Sequence, residues 1–307
     1  MSSETSPTYE YYPYEGQFRQ EPLIIDVPAS EPPEKRPFPP RSKRRRVWLP
    51  FTLFVLTCLS TLLTGGWIYA VPLMTILVFH EAGHWLQARR YGVRASFPYF
   101  IPMPFTPVGT MGAVIGMGSN MSDRRALFDI GITGPLAGLV PTILFCIMGL
   151  QWSEITTLPS SGGAGLLLGE PLLFKWLARL TLGPLQEGQD IMLHPMAFAG
   201  WVGMLITALN LLPIGQLDGG HVLYGLLRKK AHVVATFLLF GAMVAVFIFE
   251  FWAWSLMILL LALMGPKHPP TANDYVSLGW GRVALGWLAL AFVPLGFTPM
   301  PFRFLAG

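Results

Sequence analysis

The sequence predicts an all-α polytopic membrane protein of about seven transmembrane helices, with a re-entrant element able to close as a β-hairpin. Three observations carry this. Of 307 residues, 52% are hydrophobic and 12% charged, with a mean hydropathy of +0.50, whereas soluble domains carry about 25% charged residues. The charges are also crowded: residues 1–47 hold 15 of the 38. The remainder breaks into uncharged runs, several long enough for a membrane helix of roughly 20 apolar residues.

Residues 1–47 are rich in Pro, Glu, Ser and Tyr and lack helical periodicity. Such a segment buries too little apolar surface to stay folded, and a disordered cytoplasmic tail is expected. It ends in "RSKRRR", residues 41–46. Beside a membrane span, a basic cluster sets topology and touches anionic lipid, so the bilayer is the expected partner and nucleic acid is not. No apolar stretch precedes residue 47 and the segment is acid-containing, so neither a signal nor a transit peptide is expected.

The chain from 48 to 302 is the predicted membrane domain, followed by a short tail at 303–307. No Asp, Glu, Lys or Arg occurs from Val47 to His80, leaving room for one helix, a Gly65-Gly66 turn and most of a second. The next apolar stretch, "FPYFIPMPFTPVGTMGAVIGMGS" at 97–119, has four prolines in its first eleven positions. A regular helix does not accept them. Non-helical backbone at membrane depth must be covered by protein or line a cavity, so a re-entrant or interfacial element is expected, with short strands and Gly turns over Val108–Met117. A plain surface loop is the alternative. The remaining spans are expected on the uncharged runs Ile130–Ser153, Ile191–Leu217, Ala231–Phe249, Phe251–Pro266 and Val283–Phe302.

Threading these spans from a cytoplasmic N-terminus puts Arg89, Arg90, Arg94, Arg124, Arg125, Arg228, Lys229 and Lys230 inside. The outer loop at 154–190 then holds only Lys175 and Arg179 as basic residues, consistent with the positive-inside rule. Cys58 and Cys146 each fall in an apolar run and read as free thiols, with no disulfide framework or cysteine metal site.

The chemistry lies in "HEAGH", residues 80–84. On a helix, positions i and i+4 share a face, so His80 and His84 can offer ring nitrogens to one metal ion. Glu81 beside them can take a proton from water at that ion. Ionisable residues within membrane segments are rare and usually functional, and a Zn²⁺ charge would account for burying them. Two histidines leave a catalytic zinc one protein ligand short. The preferred third is Asp218 in "NLLPIGQLDGGHVLYGLL" (210–227), where Pro213, Gly219 and Gly220 bend the backbone and turn the carboxylate inward. His221, three residues on, is the rival. Asn210 supplies an amide able to hold a peptide carbonyl or oxyanion. His194, His232 and His268 lie at span ends and are poorer candidates. Gly134 and Gly138 have the small-xxx-small spacing that lets helices approach closely.

Taken in order, "HEAGH" (80–84), "GPLAG" (134–138) and "NLLPIGQLDGG" (210–220) resemble the three motifs of the site-2 protease family of intramembrane zinc metalloproteases. The resemblance implies a three-helix catalytic core at 67–228, one Zn²⁺ held by His80, His84 and Asp218, Glu81 as the residue that activates water, and Asn210 in a substrate or transition-state role. It implies hydrolysis of peptide bonds in single-span membrane protein substrates, as in regulated intramembrane proteolysis, with an embedded β element at 97–118 offering an edge strand to an unwound substrate. The longest loop, about 151–192, has no room for a PDZ domain. "FDIGITGPLAG" and "HPPTANDY" resemble instead a compact PDZ-less subgroup that includes plant plastid proteins and bacterial relatives. The acid-containing tail points to the bacterial inner membrane. A membrane metal-ion transporter and an inactive protease-like binding module are the alternatives.

Overall fold

The structure is a computed structural model and describes residues 47–116, 123–157 and 165–305. The tail expected at 1–47 lies outside the described residues except for Val47.

The first helix, α1 (Trp48–Arg90), folds back on itself at Gly66, the one position inside it with non-helical backbone (φ 71°, ψ −177°). In a straight helix, Phe51 and Glu81 would stand about 45 Å apart at 1.5 Å per residue. Instead Val47, Pro50, Phe51 and Phe54 line the same groove as Val78, Glu81, Ala82 and Trp85. The Gly65-Gly66 turn between two helical arms is therefore present, and only glycine adopts that backbone without strain. Pro72 sits one to two turns into the second arm, beyond the first turn, and so leaves the Ile68 carbonyl without its i→i−4 hydrogen bond.

Two strands follow, β1 (Tyr99–Met103) and β2 (Gly109–Val114), paired antiparallel from Tyr99↔Val114 to Met103↔Gly109. The pairing slips between Phe100 and Pro102, as a proline with no N–H to give requires. The hairpin is pinned to both arms of α1. Ser60 donates to the Gly109 carbonyl (2.6 Å) and Tyr69 to that of Val108 (2.6 Å), while the Phe54 and Phe100 rings meet edge to face. The proline-rich stretch thus forms a β-hairpin packed against helix rather than a free surface loop; residues 117–119 of it lie outside the described residues.

Asp123 caps the next helix, α2 (Arg124–Gln151), by accepting from the Ala126 amide at 2.7 Å. The outer segment carries β3 (Glu154–Thr157), β4 (Gly165–Leu168), the short amphipathic α3 (Leu172–Leu182) and β5 (Gln189–Met192). Then come α4 (Pro195–Asn210), an irregular turn, α5 (Asp218–Leu227), α6 (Lys230–Ile248), a 3-10 turn at Trp252–Trp254, α7 (Ser255–Met264), α8 (Trp280–Gly296) and β6 (Phe302–Leu305).

The second arm of α1, α2 and α4 pack as the three-helix core. Tyr69, Leu73, Phe128, Trp201 and Met204 are buried there. Small residues set the spacing: a side chain at Gly149 would strike the Ala197 backbone, and one at Gly200 would strike Cys146. Close approach of this kind is what small interfacial residues provide in a membrane bundle. Cys58 and Cys146 are free.

Among the described residues three helices, α1, α2 and α6, are long and apolar enough to cross a membrane; α4, the 252–264 segment and α8 are apolar but shorter. Outside the core, α6 turns Phe237, Phe240, Phe247 and Ile248 outward, an apolar surface suited to lipid. Two expectations need correcting. The protein is mostly helical but not all-α, because β3 pairs with β5 and β4 with β6 in the segment expected only as a loop. Residues 303–305 are not a trailing tail, since they continue β6 against β4; alternation over four-residue strands is too brief to stand out in an apolar sequence.

Candidate metal centre

His80 and His84 project from one face of the second arm of α1, one turn apart, as their spacing requires. Their Nε2 atoms are 3.2 Å apart. Asp218 completes the group, with Oδ2 3.1 Å from His80 Nε2 and Oδ1 3.2 Å from His84 Nε2. One donor atom from each of the three lies within 4.8 Å of the others, and both imidazoles are buried.

Asp218 arrives by a route different from the expected one. It is the first residue of α5 rather than the bent end of the preceding helix, which stops at Asn210. The close return of the chain needs Gly219 and Gly220, because side chains there would strike the carbonyls of Leu211 and Gly215. Asn210, last residue of α4, brings its amide nitrogen within 3.3 Å of His80 Nε2.

The protonation pattern shows what this group fits. His84 Nδ1 lies 2.7 Å from the Ile130 carbonyl, which only accepts, so Nδ1 carries the proton. In the neutral ring Nε2 is then a lone pair, and it faces a carboxylate oxygen and a second imidazole nitrogen. Electron pairs converging at about 3 Å repel unless a proton or a metal cation stands among them, and the anchored Nδ1–H is the usual support of a metal-ligating histidine. Two imidazoles and one carboxylate leaving a coordination position open are a catalytic zinc set.

The second helix of the core makes room for the rings. Gly134 faces His84 so closely that any side chain would collide with the ring, and a Cβ at Gly138 would lie 3.0 Å from His80 Cβ. Glu81, buried between its histidine neighbours, makes no hydrogen bond among the described residues and forms part of the wall of a groove of about 470 Å³. The other walls are apolar, from Pro50, Phe51, Phe54, Val78, Ala82, Trp85, Phe97, Pro98 and Phe100.

His221 does not join the three donors. Its Nδ1 is 2.7 Å from His268 Nε2, and its Cβ packs at Gly131. Residues missed from the sequence are His268 itself and a brace behind the site. Arg282 grips both oxygens of Asp129 at 2.7 and 2.9 Å, and Tyr91 donates to the same carboxylate at 2.6 Å. Asp129 adjoins Ile130, whose carbonyl holds His84.

A helical, membrane-type fold enclosing two histidines and an aspartate, with a glutamate at the edge of the donor set, defines the class of zinc metallopeptidases built into membranes. A family model, Peptidase family M50, matches residues 68–249. The chain belongs to peptidase family M50, the site-2 proteases. A "Probable zinc metalloprotease EGY1, chloroplastic" of Oryza sativa subsp. japonica is 35% identical over 70% of this chain and 38% of its own length. Its namesake in Arabidopsis thaliana is 33% identical over 72% of this chain and 40% of its own. A "Probable zinc metalloprotease EGY2, chloroplastic" of Oryza sativa subsp. indica is 30% identical over 79% of this chain and 44% of its own. The chain thus spans about two fifths of the length of these relatives. No solved structure matches.

Proposed function

We propose that this chain is an intramembrane zinc metalloprotease that hydrolyses peptide bonds in single-span membrane proteins, in the manner of regulated intramembrane proteolysis. The observation that carries the reading is the meeting of the His80, His84 and Asp218 donors with Glu81 at the wall of an apolar groove. Zinc, when bound, supplies a Lewis acid that polarises the scissile carbonyl and acidifies water.

The chain's own residues do the rest. The groove holds an extended apolar segment and keeps bulk water from it, which a soluble active site has no need to do. Glu81 takes the proton from the attacking water and hands it to the leaving amide nitrogen, two transfers from one carboxylate. Asn210 offers its amide N–H on the His80 side, where negative charge develops on the carbonyl oxygen. The β1–β2 hairpin is the element we assign to presenting an unwound substrate strand, since Phe97, Pro98 and Phe100 form part of the groove.

The topology we propose has about seven crossings, two from the arms of α1 and one each from α2, α4, α6, the 252–264 segment and α8, with 1–47 on the cytoplasmic side. Support comes from the basic clusters at 41–46, 89–94, 124–125 and 228–230. The compartment proposed is the bacterial inner membrane; the relatives named above are, by contrast, chloroplastic. Reporter fusions at residues 47 and 185 test the sidedness.

The deciding experiment is cleavage of a panel of single-span substrates by the purified, zinc-loaded protein beside Glu81→Gln. The variant is expected to keep zinc and lose about 10²- to 10⁴-fold in rate. Equal cleavage by both forms would remove Glu81 as the base. Zinc flux into liposomes without cleavage would replace the protease with a transporter, and neither flux nor cleavage would leave a binding module.

A further inference from the structure

Asp218 is the least secured of the three donors by local structure alone. It opens a ten-residue helix, α5, whose N-cap Leu217 provides no side-chain cap, and it follows the irregular turn at 211–217. A helix this short is marginal by itself, so the position of the carboxylate depends on what grips its first turn. On one side the grip is α2, where Gly131 lies against both the Asp218 carbonyl and His221 Cβ. The other tie runs through the ring of His221, in the same first turn, which is hydrogen-bonded to a residue from outside the helical core, His268.

We propose that His268 is a positioning residue of the metal centre, fixing the Asp218 carboxylate through His221. The hydrogen bonds give the pair a direction. His268 Nδ1 faces the Pro269 carbonyl at 2.5 Å, so Nδ1 carries the proton and Nε2 of the neutral ring is an acceptor. His221 Nδ1, 2.7 Å away, must therefore donate to it. Both rings are buried, at 7% exposure each, and burial lowers the His268 pKa from its ordinary value, in keeping with a neutral ring.

His268 is itself well held. Its ring lies against Tyr224 at 4.7 Å, and its carbonyl accepts from His232 Nε2 at 3.0 Å. Further along the same loop, Thr271 and Tyr224 both donate to Asp274, at 2.6 and 2.7 Å. The 265–279 connection is thus tied down at several points and presents one acceptor nitrogen to α5, three residues from the metal-binding carboxylate. Groups that orient metal ligands typically change metal affinity 10- to 100-fold when removed.

The inference rests on the zinc assignment of His80, His84 and Asp218, and its test keeps the two apart. In the full-length purified protein, zinc affinity is measured by competition with a chromophoric chelator, and the ligand field by the visible spectrum of the Co²⁺ form. His268→Gln carries an oxygen close to where Nε2 stood and should bind zinc within about threefold of the parent. His268→Asn reaches only the Nδ1 position and should weaken zinc about 10- to 100-fold and shift the Co²⁺ bands. At the other end, His221→Asn retains a donor at the Nδ1 position and should bind like the parent, while His221→Phe should not; this pair decides the matter should His268→Asn fail to fold. Thr271→Val loosens the loop without touching His221. A loss of zinc with Thr271→Val as large as with His268→Asn, or equal behaviour of the Gln and Asn variants, would overturn the proposal. A parent protein that binds neither Zn²⁺ nor Co²⁺ would instead overturn the metal assignment on which it rests.

Discussion

Gly134 lies directly beneath the imidazole of His84, with no space for a methyl group between α2 and the ring. The ring is also tied to α2 by its bond to the Ile130 carbonyl, so it cannot retreat without giving up its proton acceptor. Gly134→Ala is therefore expected to displace a ligand. An overpacking cost of about 1–3 kcal/mol, taken from the bound geometry, corresponds to a zinc affinity roughly 5- to 150-fold weaker. Gly138→Ala, whose methyl would meet His80 Cβ at 3.0 Å, should cost less. Zinc content after dialysis against a graded chelator checks both, and a Gly134→Ala protein with parental zinc affinity would contradict this arrangement.

These glycines show how far the sequence could be read. Spacing alone marked 134 and 138 as sites of close helix approach, and the i, i+4 histidines fixed their shared face. Asp218 was legible because a carboxylate at the end of a long uncharged run demands a partner. What was hidden is long-range polar pairing. His268 and Arg282 lie 47 and 153 residues from the groups they hold, and nothing local distinguishes a terminal histidine that caps a loop from one that orients a catalytic helix. The strands β3 to β6 were hidden for a related reason, since their pairing is set by the chain ends that the bundle happens to bring together.

The Arg282–Asp129–Tyr91 brace joins α8, α2 and the C-terminal end of α1 behind His84. Asp129 is buried, so Arg282→Ala leaves its charge without its main partner. Part of that cost is relieved by water, because the Arg282 side chain is 38% exposed; a loss of about 2 kcal/mol is expected. The double variant Asp129→Asn, Arg282→Gln removes the unpaired charge and should be more stable than Arg282→Ala. Thermal unfolding in one detergent decides the order, and the reverse order would show the brace to be dispensable.

Asp274 gives the fold a predictable response to acid. Burial pushes its pKa up, but hydrogen bonds from Thr271 and Tyr224 and the charge of Arg124 outweigh this and lower it. A carboxyl whose folded pKa is depressed stabilises the protein above its unfolded value, about 3.9, and loses that contribution as pH falls through the folded value. Asp274→Asn should therefore melt below the parent at neutral pH, and the gap should narrow below about pH 4. Melting curves from pH 3 to 7 test this; a gap that widens in acid would give the linkage the wrong sign.

The groove beside Glu81 sets what can reach it. Ala82 is the smallest side chain in its wall, opposite Phe51 and Phe54 of the first arm of α1. Its half-buried position lets a larger residue project into the cavity rather than into the α1–α2 contact, where Gly83 already touches Thr133. Ala82→Leu adds three carbons to a space of about 470 Å³, enough to crowd a bulky substrate side chain more than a small one. With a matched pair of substrates carrying Leu or Ala beside the cleavage site, the variant should lower the kcat/KM ratio of Leu to Ala by about tenfold. That is the size of effect expected when a pocket loses room for one or two methylene groups. Zinc affinity, measured alongside, should stay at the parental value because His80 and His84 lie on the other face of the helix. A ratio that does not move would mean that substrate approaches Glu81 from elsewhere, and a ratio that moves together with zinc loss would place the effect in the metal centre rather than the groove.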